Sequence, residues 1–227
     1  MAADEVLLQE AIENGQAGVR VYQWSEPTLS LGYFQTPDDI PEPLRSMGLP
    51  AVRRLSGGGT ILHHHEVTYS FAVPASHNQA RVPKELYIQA HEAVIRQLAL
   101  FGVSASLRGW EDTNRRDAFL CFARGDWFDV VMGAGHKVVG SAQRRRRGAI
   151  LQHGSIVLRR SALAPQFLGI EDLSAKPVSV VDLATGLSLE LGGMFAANLI
   201  QAVISQTDCQ RVHEHRQRLA TPTVGEF

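Results

Sequence analysis

Four groups of residues in this 227-residue chain have the types and spacing to do chemistry. The first is Arg53-Arg54-Leu55-Ser56-Gly57-Gly58-Gly59, which runs on through Thr60 to His63-His64-His65-Glu66. Consecutive glycines let the backbone reach positive φ and leave no Cβ between main-chain N–H groups and a ligand. Two arginines beside such a loop suit an anionic or strongly polar ligand, and the alternative is a glycine hairpin with two solvated arginines. The second group is Lys137-Val138-Val139-Gly140-Ser141-Ala142-Gln143. As a strand it sets Lys137, Val139, Ser141 and Gln143 on one face, and Val138, Gly140 and Ala142 on the other. The small face predicts close packing. The other face carries an ammonium, a hydroxyl and an amide in one row. Lys137 is then either a solvated edge residue or a charge lining a polar pocket, able to hold a carbonyl or phosphate oxygen.

The third group is Cys121 beside Phe122. A lone cysteine is an inert buried residue unless a positive neighbour raises its thiolate fraction, and Lys137 would supply that field if the two segments pair. Cys209 has no comparable surroundings. The fourth group is the histidines. In a strand His63 and His65 share a face with His64 opposite, so at most two converge, and no carboxylate or cysteine pattern completes a metal site. His153, in Leu151-Gln152-His153-Gly154-Ser155, reads as a pocket or core residue holding a hydrogen bond. Arg144 to Arg147, directly before Gly148, is either a solvated hairpin turn or a docking patch for an acidic protein partner.

The elements that must position these groups follow from periodicity and punctuation. Met1 to Asn14 reads as an amphipathic helix stopped by Gly15, and Pro83 to about Phe101 as the longest helix, with Leu86, Ala90, Val94, Leu98 and Phe101 on one face. Between them, Gly18–Trp24 and Thr28–Phe34 read as strands. Pro37–Met47 reads as a short helix entered through Thr36 and left at Gly48. Ala51–Leu55 reads as a strand into the glycine loop, and Gly59–Val73 as two more. Downstream, Val103–Leu107 is a strand and Gly109–Asp117 a mobile loop. Phe119–Phe122, Trp127–Met132, Lys137–Gln143 and Ala149–Leu158 form a meander. Ser161 caps a short helix, Gly192–Ser205 forms another, and Thr221–Phe227 is a frayed tail. Runs of strands broken by separate helices predict an α+β domain: a mixed β-sheet with flanking helices.

Composition narrows the function. A formal net charge of −1 argues against a dedicated nucleic-acid binder, which would be markedly basic. Two distant cysteines indicate neither a disulfide framework nor a cysteine zinc site, and suit a reducing cytoplasm. No apolar run approaches the ~18 residues of a membrane helix, and Asp4 and Glu5 replace the basic start of a signal peptide, so no membrane partner is expected.

Taken in order, the motifs resemble one family. Val19 to Gln35 (VRVYQWSEPTLSLGYFQ), RRLSGGG with His63, EVTYS at Glu66–Ser70, Cys121-Phe122, HKVVGSAQRR and GAILQHGS are similar to the catalytic domain of the lipoate–protein ligase and octanoyltransferase group, itself related to biotin–protein ligases. The biotin ligases match less well, since their GRGRxGR-type loop is absent. The resemblance implies a mixed sheet with flanking helices enclosing a tunnel for an eight-carbon acyl chain. It implies catalytic roles for Cys121 and Lys137. Arg53, Arg54, Gly57, Gly58, Gly59, His63, Ser141, Ala142, Gln143, His153 and Gly154 would bind the acyl substrate, and no metal would be held by protein ligands.

Two chemistries share this family. Transferases, which need no cofactor, move octanoyl from octanoyl-acyl carrier protein onto a cysteine and then to a lysine of a lipoyl-domain acceptor protein. Ligases activate lipoate with ATP and Mg²⁺ to an acyl-adenylate. Cys121 falls at the acyl-accepting cysteine of ligase-like transferases, and residues 1–227 read as a single catalytic domain without the C-terminal accessory domain of the classical ligases. Both features favour the transferase. The third glycine, Gly59, where cysteine-type transferases frequently place arginine, favours the ATP-dependent ligase. The family's usual first strand is missing ahead of the first helix, which suggests a late-assigned start, and His64 replaces the family's aspartate. Those two departures leave a non-catalytic acyl- or lipoyl-domain-binding relative as a third possibility.

Overall fold

The computed structural model describes residues 1–109, 125–196, 198–201 and 206–219. The mixed-sheet α+β architecture expected from the sequence is present, as two sheets with helices on both sides of the larger one. The larger sheet contains β1 (Gly18–Tyr22), β5 (Glu66–Val73), β6 (Ser106–Leu107), β7 (Val130–Met132), β8 (His136–Arg146) and β9 (Ala149–Val157), in the order β1-β5-β9-β8-β7-β6 with every pairing antiparallel. The smaller has β2 (Thr28–Leu31) at its centre, parallel to β3 (Ala51–Arg53) and antiparallel to β4 (Ile61–His63). Every residue of β5 is buried, because the strand is covered on both faces and so needs no polar side.

Pro83 opens α3 (Pro83–Leu100), where its missing N–H would have had no helical partner. The helix buries Leu86, Ala90, His91, Ala93, Val94 and Leu98. With α5 (Val180–Gly193) it covers one face of the large sheet, packing on Tyr69, Phe71, Val139 and Ile156. On the opposite face α1 (Ala2–Glu13) packs Leu8 and Ala11 against Ala72, Leu151 and Leu55 of the glycine-loop segment. Leu29, Leu31 and Ala51 of the small sheet form a further cluster with Ile40 and with Leu44 of α2 (Glu42–Arg45). Two more helices are α4 (Ile170–Ser174) and α6 (Gln206–Leu219); Arg211 of α6 pairs with Glu10 of α1.

Several sequence expectations are corrected. Residues 37–47 form a 3-10 turn, Pro37–Asp39, and then the single turn α2. Ile40 is extended (φ −75°, ψ 122°) because it precedes Pro41, which disfavours helix at the residue before it and donates no N–H. Thr36 does stand at the N-cap of the first turn, where its N–H donates to Asp39 Oδ2 at 2.6 Å. Ser161 opens no helix; its Oγ accepts from Leu163 N at 3.1 Å in a local turn. Among the described residues of the helix expected at Gly192–Ser205, only Gly192 and Gly193 are helical, as the end of α5, which was signalled by Leu183, Leu187 and Leu191 at helical spacing; residues 197 and 202–205 lie outside the described residues. Nor do the arginines form the hairpin turn. Arg144 to Arg146 belong to β8, and only Arg147 (φ 50°) and Gly148 (φ 85°) make the two-residue reversal, the positive-φ pair that a tight hairpin requires. The strand around Val103 shrinks to Ser106–Leu107. The expected loop beyond Gly109, the Phe119–Phe122 strand with Cys121, and the Thr221–Phe227 tail lie outside the described residues.

Candidate functional site

A cavity of about 280 Å³ lies where the two sheets meet. Gly57, Gly58, Ile61 and His63 bound it on the small-sheet side, and Lys137, Gly140, Ala142, His153 and Ser155 on the large-sheet side. A larger, polar hollow of about 420 Å³ opens around Trp24, Glu26, His64, His65, Arg159 and Glu171. We take the smaller cavity as the site, because it collects the lysine, the glycine loop and two buried histidines.

Lys137 reaches the cavity through a β-bulge. Val130 faces Val139 but Val131 faces Lys137, so Val138 is an extra residue in β8 and alternation reverses across it. The lysine therefore does not share a row with Ser141 and Gln143, as plain alternation predicts. It folds over Gly140 instead, where a Cβ would lie 2.5 Å from Lys137 Cε and 2.9 Å from Nζ. Nζ is held 2.9 Å from Asp129 Oδ1, with both side chains buried. Asp129 Oδ2 accepts from Asp126 N at 2.7 Å. Burial pushes the Asp129 carboxyl above its usual range, against the pull of the Lys137 ammonium.

Ser141 and Gln143 border the cavity, but their side chains turn to the α3 side. Ser141 Oγ meets His91 Nε2 at 2.5 Å, and Gln143 Nε2 donates to Pro83 O at 2.9 Å and Gln152 Oε1 at 2.8 Å. Gly154 also serves that side, since a Cβ there would collide with the Tyr69 ring. Ala142, opposite His153 in the register, leaves room on the cavity face.

His153 spans the two layers. Its Nε2 meets Ser56 Oγ at 2.5 Å and its Nδ1 lies 3.3 Å from Asp4 Oδ2, while Arg20 Nη1 donates to Asp4 Oδ1 at 2.8 Å. Burial lowers the His153 pKa, and the Asp4 carboxylate only partly opposes it. The glycine loop is thus tied down at its serine. Arg54 ties it further along, donating from Nη2 to the carbonyls of Gly57 (2.8 Å) and Gly59 (2.6 Å) and from Nη1 to Ser30 O (2.7 Å). Arg53 donates to the carbonyls of Tyr33 and Gln35. Both arginines therefore brace main chain, where the sequence had suggested a ligand. Gly58, at φ 93°, makes the turn, and its carbonyl sits against Gly32, a residue that sequence patterning did not single out. Gly32→Ala should force the two segments apart, lowering stability by about 1–3 kcal/mol, read as a fall in the urea midpoint.

The three histidines do not alternate. β4 ends at His63, His65 turns to φ 48°, and the rings of His64 and His65 stack 3.5 Å apart. His63 points inward. Its Nδ1 lies 2.7 Å from Glu66 Oε1, and its ring stacks on Trp24 at 4.1 Å and 13°. Trp24 Nε1 donates to Thr68 Oγ1 at 2.9 Å, and Thr68 Oγ1 donates to Glu66 Oε1 at 2.6 Å. Sequence reasoning gave Trp24, Glu66 and Asp129 no role. Their signal was a lone carboxylate inside an apolar run, Trp127-Phe128-Asp129-Val130-Val131, and another opening the strand that follows the histidines. A buried carboxylate needs a partner.

The family model described as lipoyl protein ligase A/B catalytic domain matches residues 1–207. Among curated proteins, the octanoyltransferase LipM of Carboxydothermus hydrogenoformans is 39% identical over 164 residues, covering 70% of this chain and 60% of that protein. LipM of Oceanobacillus iheyensis is 32% identical over 202 residues, covering 85% and 72%. The strongest of these matches thus span about 60% of the relative's length. Among solved structures, a bi-partite lipoate protein ligase from Thermoplasma acidophilum superposes with a TM-score of 0.70 at 18% identity, covering 94% of this chain and 84% of that one. Lipoate-protein ligase A bound with ATP gives 0.68 at 17%, covering 94% and 86%. At such identities these two bear on the fold alone.

Proposed function

Because the chain belongs to the lipoyl protein ligase A/B catalytic-domain family, we propose that it is an acyltransferase of protein lipoylation. It would take octanoyl from octanoyl-acyl carrier protein onto Cys121 as a thioester, and pass it to a lysine of a lipoyl-domain protein. The observation that carries this reading is the buried Lys137 ammonium at the cavity wall, held by Asp129 over a glycine, in a chain up to 39% identical to proteins named octanoyltransferase. An ammonium fixed beside a cavity can stabilise a thiolate and the oxyanion of a tetrahedral intermediate. Exchange of one thioester for another needs no activating cofactor, and the reading assigns none. Among the described residues no helix is long and apolar enough to cross a membrane, and we place the reaction in the cytoplasm.

Within this reading the parts divide as follows. Lys137 steadies the acyl carbonyl. His153 and Arg54 hold the glycine loop as one wall, through Ser56 and through the loop carbonyls. Gly140 and Ala142 leave the space that the acyl chain occupies. Incubation with octanoyl-acyl carrier protein should add one octanoyl mass to the protein, and Cys121→Ala should abolish that adduct and transfer to a lipoyl domain. An unmodified wild-type protein would sink the thioester. ATP- and Mg²⁺-dependent octanoate activation that survives Cys121→Ala would put the ligase in its place.

A further inference from the structure

The acceptor in this reaction is a lysine side chain, and at neutral pH its nitrogen carries a proton and has no lone pair for attack. Some group must take that proton. His63 has the chemistry for it. Glu66 gathers three donors, His63 Nδ1, Thr68 Oγ1 and Ser155 Oγ. A carboxylate taking three donors is an acceptor, so His63 Nδ1 carries the hydrogen, and in the neutral ring Nε2 carries the lone pair. Trp24 covers one ring face and fixes its plane. The residue is 2% exposed and lines the cavity, and Nε2 has no hydrogen-bond partner among the described residues. A buried acceptor without a partner is costly, and here it belongs to a ring that lines the cavity and whose other nitrogen is engaged.

We propose that His63 is the general base for the acceptor lysine, with Glu66 as its positioning residue. This rests on the acyltransferase reading for the identity of the acceptor. Entry of the lysine into a buried site beside Lys137 lowers its affinity for the proton, by desolvation and by like charge. One proton passes from the ammonium to His63 Nε2. The freed nitrogen attacks the thioester carbonyl, the C–N bond forms and the C–S bond breaks. The second proton goes from the nitrogen to the departing Cys121 sulfur. Products are the octanoyl amide and the free thiol, and His63 returns its proton to solvent.

The test compares two nucleophiles on pre-acylated enzyme. Single-turnover loss of octanoyl is followed with a lipoyl domain, whose lysine must be deprotonated, and with hydroxylamine, which is already neutral at pH 7. His63→Asn keeps a donor for Glu66 but has no base at the Nε2 position; His63→Gln is the second variant. Both should slow transfer to the lipoyl domain by roughly 10²–10⁴-fold and leave the hydroxylamine rate within a few-fold of wild type. Equal slowing with both nucleophiles means a structural role, and unchanged transfer to lysine means no role; either overturns the proposal. A wild-type enzyme that forms no acyl adduct overturns only the thioester reading. The same two nucleophiles are then set against octanoyl-adenylate, where the same split supports His63 and its absence overturns the base.

Discussion

Replacing Lys137 by methionine should slow acylation of the enzyme by roughly 10²–10³-fold, the scale on which removing one preorganised stabiliser of a developing oxyanion acts. It should also destabilise the fold, and the two effects have different origins. Asp129 would keep its burial and lose the cation 2.9 Å away, leaving Arg108 Nε at 4.0 Å as a more distant cation. Breaking a buried pair from one side costs about 3–5 kcal/mol. Protonation limits that cost, because burial already raises the Asp129 pKa and the carboxyl can neutralise.

The double variant Lys137→Met, Asp129→Asn separates the effects. It removes both charges and keeps the shapes, so most of the stability should return while acylation stays slow. Urea denaturation gives the first and quenched intact-mass kinetics the second. Recovery of acylation along with stability would mean that Lys137 only neutralises Asp129. In that event the oxyanion role proposed for it would fall.

How much of the molecule was legible in the sequence depended on how local the determinant was. The long helix was readable because Pro83 marks its start and Leu86, Ala90, Val94 and Leu98 repeat on one face. The hairpin between β8 and β9 was readable in outline and misplaced, because four like charges looked like a turn. Only Arg147 and Gly148 needed positive φ, and the other arginines could pair in the strand. The row of Lys137, Ser141 and Gln143 failed for a subtler reason. Strict alternation was the right rule, but the bulge comes from pairing with β7, a partner that the residues of β8 do not reveal. Arg53 and Arg54 were read as binding a ligand, yet they donate to carbonyls of Gln35, Ser30, Gly57 and Gly59 that only the tertiary arrangement brings near. The same holds for Trp24, which meets His63 across 39 positions of chain.

His91 should make the protein lose stability on mild acidification, and the hydrogen bonds say why. It sits in the middle of α3, fully buried, with Nδ1 2.5 Å from Phe128 O and Nε2 2.5 Å from Ser141 Oγ. A carbonyl only accepts, so Nδ1 carries the hydrogen and Nε2 accepts from the serine hydroxyl. Protonation would turn Nε2 into a donor, and it would put a charge where burial opposes it. Burial accordingly lowers the pKa to about 4 from an ordinary 6.5; Lys137 adds to the shift, and the Phe128 carbonyl resists it. With the folded value depressed, the unfolded chain binds the extra proton first. The stability held at pH 7 therefore begins to fall below about 6.5 and is fully lost below about 4. Between pH 7 and pH 5 the loss is about 2 kcal/mol, one pKa unit being about 1.4 kcal/mol. His153, also depressed by burial, acts in the same direction; Asp129, whose pKa is raised, acts in the opposite direction within the carboxylate range. Both remain in a His91→Gln variant, so they cancel in the comparison. The variant should be less stable at pH 7 but flatter between pH 7 and 5 by about 2 kcal/mol in urea titrations. Parallel pH curves for the two proteins would show that the His91 ring takes up its second proton as readily in the fold as in the unfolded chain, and would overturn the argument from burial.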